Sequence, residues 1–76
     1  MIDVAIGRGS VPEQRRAGEA IIEFRRIGNS VKVSAIDTVT QVEVSIVAPA
    51  SSSEREMTDA VMRKLNYVLA RQNGRR

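Results

Sequence analysis

The chain contains no cysteine and no histidine. Without cysteine there is no disulfide and no thiolate metal site. Without histidine there is no imidazole base, no imidazole ligand, and no Ser-His or Cys-His nucleophile pair. Aromatic residues are nearly absent as well: one Phe, one Tyr and no Trp. No apolar run approaches the roughly 20 residues needed to span a bilayer. The first ten residues, MIDVAIGRGS, lack the basic start and long apolar core of a signal peptide. The expectation is a cytoplasmic protein of bacterial type, with no catalytic activity, no cofactor, no metal and no membrane partner.

What is present is charge, chiefly as arginine. Ten Arg and two Lys oppose nine acids, for a net charge of +3. A basic balance admits an anionic partner, although Arg-rich usage is also common in GC-rich genomes. The 76 residues make one small domain. A core of this size is marginal alone. With disulfides and thiolate metals excluded, self-association is the remaining aid.

Residues 1–17 read as a flexible arm. Gly7, Gly9, Ser10 and Pro12 break structure, and Glu13-Gln14-Arg15-Arg16 is fully polar. Alternation of Ile2, Val4 and Ile6 with Asp3 and Ala5 allows an extra edge strand over Met1–Ile6. The domain proper is placed at 18–73, with a frayed tail at 74–76.

Three strands are predicted, over 20–27, 30–37 and 42–48. Gly28-Asn29 is a two-residue hairpin signal, because both residues tolerate positive φ. A two-residue loop sets Phe24 opposite Val33, Ile22 opposite Ala35 and Arg25 opposite Lys32. A one-residue slip mixes polar and apolar positions. After a turn at Thr38-Val39-Thr40-Gln41, an even loop sets Val44 beside Ala35 and Ile46 beside Val33. One face therefore carries Ile22, Phe24, Val31, Val33, Ala35, Val42, Val44, Ile46 and Ala48.

A helix covers that face. Pro49 ends the third strand, and Ser53 with Glu56 forms an S-x-x-E capping box. The helix is predicted from about Glu54 to Gln72, stopped by Asn73-Gly74. Met57, Val61, Met62, Leu65, Val68 and Leu69 fall on one side at ~100° per residue. Arg55, Asp59, Arg63, Asn66 and Ala70 fall opposite, with Asp59 and Arg63 spaced for an i,i+4 ion pair. The fold class is α+β: a three-stranded antiparallel meander followed by one amphipathic helix.

The second sheet face mixes Ile21, Ile27, Ile36 and Val47 with Glu23, Arg25, Lys32, Ser34, Glu43 and Ser45. Exposed aliphatic side chains on so small a domain point to a contact surface. The outer strands also leave unpaired backbone edges. Both features point to a homodimer, with Ile21, Ile27, Ile36 and Val47 as candidate interface residues. Arg25, Arg26, Lys32, Arg63 and Lys64 are the candidates for an alternative reading, a weak electrostatic nucleic-acid binder.

Signals for other chemistry are thin. Gly7-Arg8-Gly9 lacks the remainder of a phosphate loop. Ser51-Ser52-Ser53 precedes a helix N-terminus, where simple capping accounts for it. Glu23 and Glu43 share a face without a cleft, and Lys32 is a solvated strand lysine. A double-stranded-RNA module needs a basic start to its last helix, whereas this helix opens Glu54-Arg55-Glu56. Phe24 on the core face and Tyr67 on the helix make no stacking platform. Arg26-Ile27-Gly28-Asn29-Ser30-Val31 resembles the "GNS" segment of swapped-hairpin DNA-binding antitoxin and transition-state regulators. No Leu-Pro step follows, and the segment reads as a hairpin turn.

A longer resemblance covers about Gly18 to Arg71. EFRRIGNSVKVSAID, then EVSIV-P, then RKLNYVLAR, is similar to a family of small uncharacterised alphaproteobacterial proteins. The resemblance implies no activity. Relatives often have a Thr-Gly step in the second turn, where this chain has Thr40-Gln41.

Overall fold

In the computed structural model, which describes residues 13–73, a four-stranded antiparallel sheet is followed by one helix. The strands are β1 (Glu13–Ala17), β2 (Ala20–Ile27), β3 (Ser30–Asp37) and β4 (Glu43–Pro49), in spatial order β1-β2-β3-β4. The helix α1 spans Glu54–Asn73. The expected strand over Met1–Ile6, the Gly7-Arg8-Gly9 pair and Gly74 lie outside the described residues.

The three expected strands are present, and the meander gains a fourth. Glu13–Ala17, read from its polarity as part of an arm, pairs with β2 from Glu13↔Phe24 to Ala17↔Ala20. Gly18 and Glu19 form the two-residue connection. Gly18 sits at φ +61° and Gly28 at φ +59°, whereas Glu19 and Asn29 have negative φ. Positive φ at the first central position alone is the type II′ pattern, which matches the twist of the flanking strands. In both hairpins, then, only the glycine needs the left-handed region.

The β2–β3 and β3–β4 registers follow the hydrophobic pattern: Phe24↔Val33, Ile22↔Ala35 and Arg25↔Lys32, then Ala35↔Val44 and Val33↔Ile46. Asp37 N–H donates to Val42 C=O (2.8 Å), and Gln41 N–H donates to Asp37 C=O (2.8 Å). Residues 38–41 are thereby closed into a four-residue loop. The Asp37 carboxylate accepts from the Thr40 N–H and the Thr40 hydroxyl, both at 2.8 Å. Thr38 in turn donates its N–H (3.0 Å) and its hydroxyl (2.8 Å) to Glu19 C=O, tying this loop to the β1–β2 turn.

The capping box forms as the sequence predicts. Glu56 N–H donates to Ser53 Oγ, and Ser53 N–H donates to Glu56 Oε1, each at 3.0 Å. These bonds satisfy backbone donors that a helix start leaves open. Glu54 and Glu56 also place negative charge at the positive end of the helix dipole. Met57, Val61 and Leu65 are buried, one turn apart, with Met62, Val68 and Leu69 packed beside them. They meet Ala20, Ile22, Phe24, Val31, Val33, Ala35 and Val44. Full burial is worth about 1.5–3 kcal/mol for each large aliphatic side chain. The outer helix face is exposed as expected, but Asp59 meets Arg55 at 3.8 Å rather than Arg63. At 90% exposure for Arg55, that pair contributes little.

Arg15 ties the added strand to the helix. Its guanidinium lies 2.8 Å from Glu13 and 3.0 Å from Glu54. The hydrogen bond from Arg15 holds the Glu13 carboxyl below its ordinary value.

Two predictions follow from the 38–41 loop. Gln41 occupies φ +68°, a region that costs a non-glycine residue about 1–2 kcal/mol. Its side-chain amide recovers one 3.2 Å bond to Thr38 C=O. Gln41→Gly is therefore expected to stabilise the fold by about 0.5–1 kcal/mol, allowing for glycine's greater unfolded-state entropy. Chemical denaturation checks this, and a destabilised variant contradicts the strain. The second prediction concerns acid. Thr40 N–H and hydroxyl donation hold the Asp37 carboxyl below its ordinary value. Its folded-state affinity for a proton is thus lower than its unfolded one. That contribution is complete above the unfolded value near pH 4 and is lost as pH falls through the folded one. Asp37→Asn should flatten the acid limb of the stability–pH curve, and an unchanged slope would falsify the assignment.

Candidate interaction surface

Side chains alternate across the sheet, so burying Ile22, Phe24, Val33 and Ala35 under α1 turns their neighbours to the opposite face. Four rows cross that open face. The first is Arg16, Ile21, Ile36 and Glu43. The second is Gln14, Glu23, Ser34 and Ser45. The third holds Arg25, Lys32 and Val47, and the fourth Ile27, Ser30 and Pro49.

The four candidate apolar residues all stand on this face, but not as one patch. Ile21 and Ile36 are directly paired and half-buried at one end. Ile27 (57% exposed) and Val47 (70% exposed) stand near the other end, on different strands. Arg25 and Lys32, cross-strand partners, separate Ile27 from Ile21 and Ile36, and Val47 stands beside Lys32 in the same row. Two like charges directly opposite are unfavourable. Among the described residues, neither has a carboxylate within salt-bridge distance.

The five candidate nucleic-acid residues are dispersed. Arg25 and Lys32 share the open face. Arg26 folds back on its own turn, Nε donating to Gly28 C=O (2.7 Å). Arg63 is on the outer side of α1, away from the sheet. Lys64 donates to Ser45 C=O (2.8 Å). The structure brings together two of the five.

The Lys64 bond reports on the edge of β4. Bonding at Asp37–Val42 sets the alternation of the ladder. By that alternation the backbone groups of Glu43, Ser45 and Val47 point outward. Lys64 caps the outward carbonyl at the centre of the edge. Pro49, at its end, has no N–H, and its C=O accepts from Ser52 N–H (2.9 Å). A cation and a proline are two of the devices that keep a sheet edge from recruiting another strand. The opposite edge, β1, is five residues long and shows Gln14 and Arg16 outward on the open face. These two residues were missed in the sequence reading because β1 itself was. The signal that could have found them is Gly18-Glu19, a glycine-first two-residue loop.

Two concave features formed by described residues are shallow. An open groove of about 290 Å³ runs between β4 and the first turns of α1, lined by Ile46, Ala48, Ser52, Glu56, Met57 and Ala60. Its only ionisable group is Glu56, already engaged in capping. A second depression is bounded by Gln14, Arg15, Arg16 and Ile21. Among the described residues, no group of three or more acidic side chains could hold a metal. Among the described residues, no helix is long and apolar enough to cross a membrane.

Neither the curated proteins nor the solved structures yield a match to this chain. One family model does match, over residues 17–72, which takes in β2, β3, β4 and nearly all of α1. The chain belongs to the family described as Domain of unknown function (DUF6898).

Proposed function

We propose that this chain is a small, non-catalytic interaction module that acts as a homodimer through its open sheet face. The observation that carries the reading is that face itself. It combines exposed and half-buried aliphatic side chains with an Arg25–Lys32 pair whose charge needs an anion. The edges support contact by the face rather than by strand addition, because Lys64 and Pro49 obstruct β4 and β1 is polar. Absence of histidine and cysteine leaves little basis for an active site. We place it in the cytoplasm of a bacterium; the Arg-rich usage accords with a GC-rich genome, and an alphaproteobacterial source is what the resemblance of EFRRIGNSVKVSAID implies.

The adjacency of Arg25 and Lys32 supports a second reading, weak electrostatic binding of nucleic acid. Only these two of the five candidate cations lie together, which makes the surface small for a polyanion.

Sedimentation from micromolar to millimolar concentration is expected to show a monomer–dimer equilibrium. A chain that stays monomeric throughout contradicts the dimer. Ile27→Lys, at an exposed position the fold tolerates, is expected to raise the dimer Kd by about tenfold or more, since burying one isoleucine is worth more than 1.4 kcal/mol. An unchanged Kd moves the contact off this face. For the second reading, titration with mixed-sequence RNA at low salt is decisive. Electrostatic binding is strongest there and weakens steeply with added salt, so no binding at low salt excludes it.

A further inference from the structure

Along β2 the open face reads Ile21, Glu23, Arg25, Ile27. The order is symmetric in type about Phe24: aliphatic, acid, base, aliphatic. From this we infer that the second copy docks with its β2 antiparallel over β2, about a two-fold axis that crosses the strand at the level of Phe24. This rests on the homodimer reading above and specifies its geometry. The axis places Glu23 against Arg25 of the second copy, and Ile21 against Ile27 of the second copy. Each contact occurs twice, as an isologous interface requires.

Neighbouring strands agree with this choice. The same rotation lays the row of Glu23 and Ser34 over the row of Arg25 and Lys32 in the second copy. Glu23 then supplies an anion to the like-charged pair, which has none within salt-bridge distance among the described residues, and Lys32 faces the Ser34 hydroxyl. The other two-fold arrangement of stacked sheets has its axis parallel to the strands. It sets the Arg25–Lys32 row on its own reversed copy and gathers four cations, an arrangement that opposes docking. Charge therefore selects one axis over the other.

Size fits a weak, reversible contact. Strands of five, eight, eight and seven residues, at usual rise and spacing, give a face of roughly 440 Å² per copy. Two such faces come to about 900 Å², in the range of transient contacts. Aligned packing of twisted sheets at about −30° keeps the central strands in register while the corners diverge. The contact then centres on β2 and β3, where the paired charges lie.

Charge exchange tests the axis. On the open face of β2, Glu23→Arg leaves two bases and Arg25→Glu leaves two acids. Each variant alone is expected to raise the homodimer Kd by about tenfold or more, with circular dichroism and melting temperature close to those of the parent. Mixed in equal amounts, the two should form a heterodimer with a Kd within a few-fold of the parent, because every facing pair is then opposite in sign. The double variant Glu23→Arg/Arg25→Glu should recover homodimerisation in the same way. A dimeric parent whose variants associate unchanged, or whose mixture fails to recover association, overturns this geometry and leaves the homodimer standing. A monomeric parent overturns both. A monomeric parent that binds RNA through Arg25, with binding lost in Arg25→Glu, assigns the face to a polyanion instead.

Discussion

Closure of one sheet face by α1 is the constraint on which the rest of the molecule depends. Ile22 and Val33 on the sheet, and Val61 and Leu65 on the helix, are almost wholly excluded from water. No disulfide supplements this contact. Every other feature is arranged around it. The capping box starts the helix where Met57, Val61 and Leu65 will face the sheet. The type II′ turns hold the register that keeps Ile22, Phe24 and Val33 on one side. A slip of one residue at Gly28 would set the apolar positions of one strand beside the polar positions of the other.

Burial on one face dictates composition on the other. A strand that sends Ile22 and Phe24 inward must show Ile21, Glu23 and Arg25 outward, and the outward set is free of packing demands. It is there that like charges sit side by side on adjacent strands and that aliphatic residues remain in contact with water. The family shares the scaffold across residues 17–72. The chemistry of recognition, by contrast, has to be read from the particular side chains that the scaffold turns outward.

Much of the fold was legible in the sequence because two independent signals agreed. Gly28-Asn29 marked a two-residue loop, and the apolar alternation admitted one register across it. Ser53 and Glu56 marked the helix start four residues after Pro49. What escaped was the strand Glu13–Ala17. Its inner positions are Glu13, Arg15 and Ala17, two of them charged, so no apolar period announced it. Its stability comes from backbone pairing to β2 and from Arg15 reaching Glu54, a contact between residues far apart in the chain. Gln41 was a second blind spot. Nothing about glutamine signals a left-handed backbone. For the open face, membership was readable from parity alone, but its division into two aliphatic ends around a charged centre required the register of all four strands.

The hydrogen bond from Lys64 to the Ser45 carbonyl has a consequence for life in a crowded cell. A flat, strand-rich molecule of this size invites its neighbours to continue the sheet, and such growth has no natural end. By setting a positive charge over the outward carbonyl at the midpoint of β4, and a proline at its end, the chain makes that edge a poor template for another strand. Association through a face consumes that face and stops, whereas association through an edge regenerates the edge.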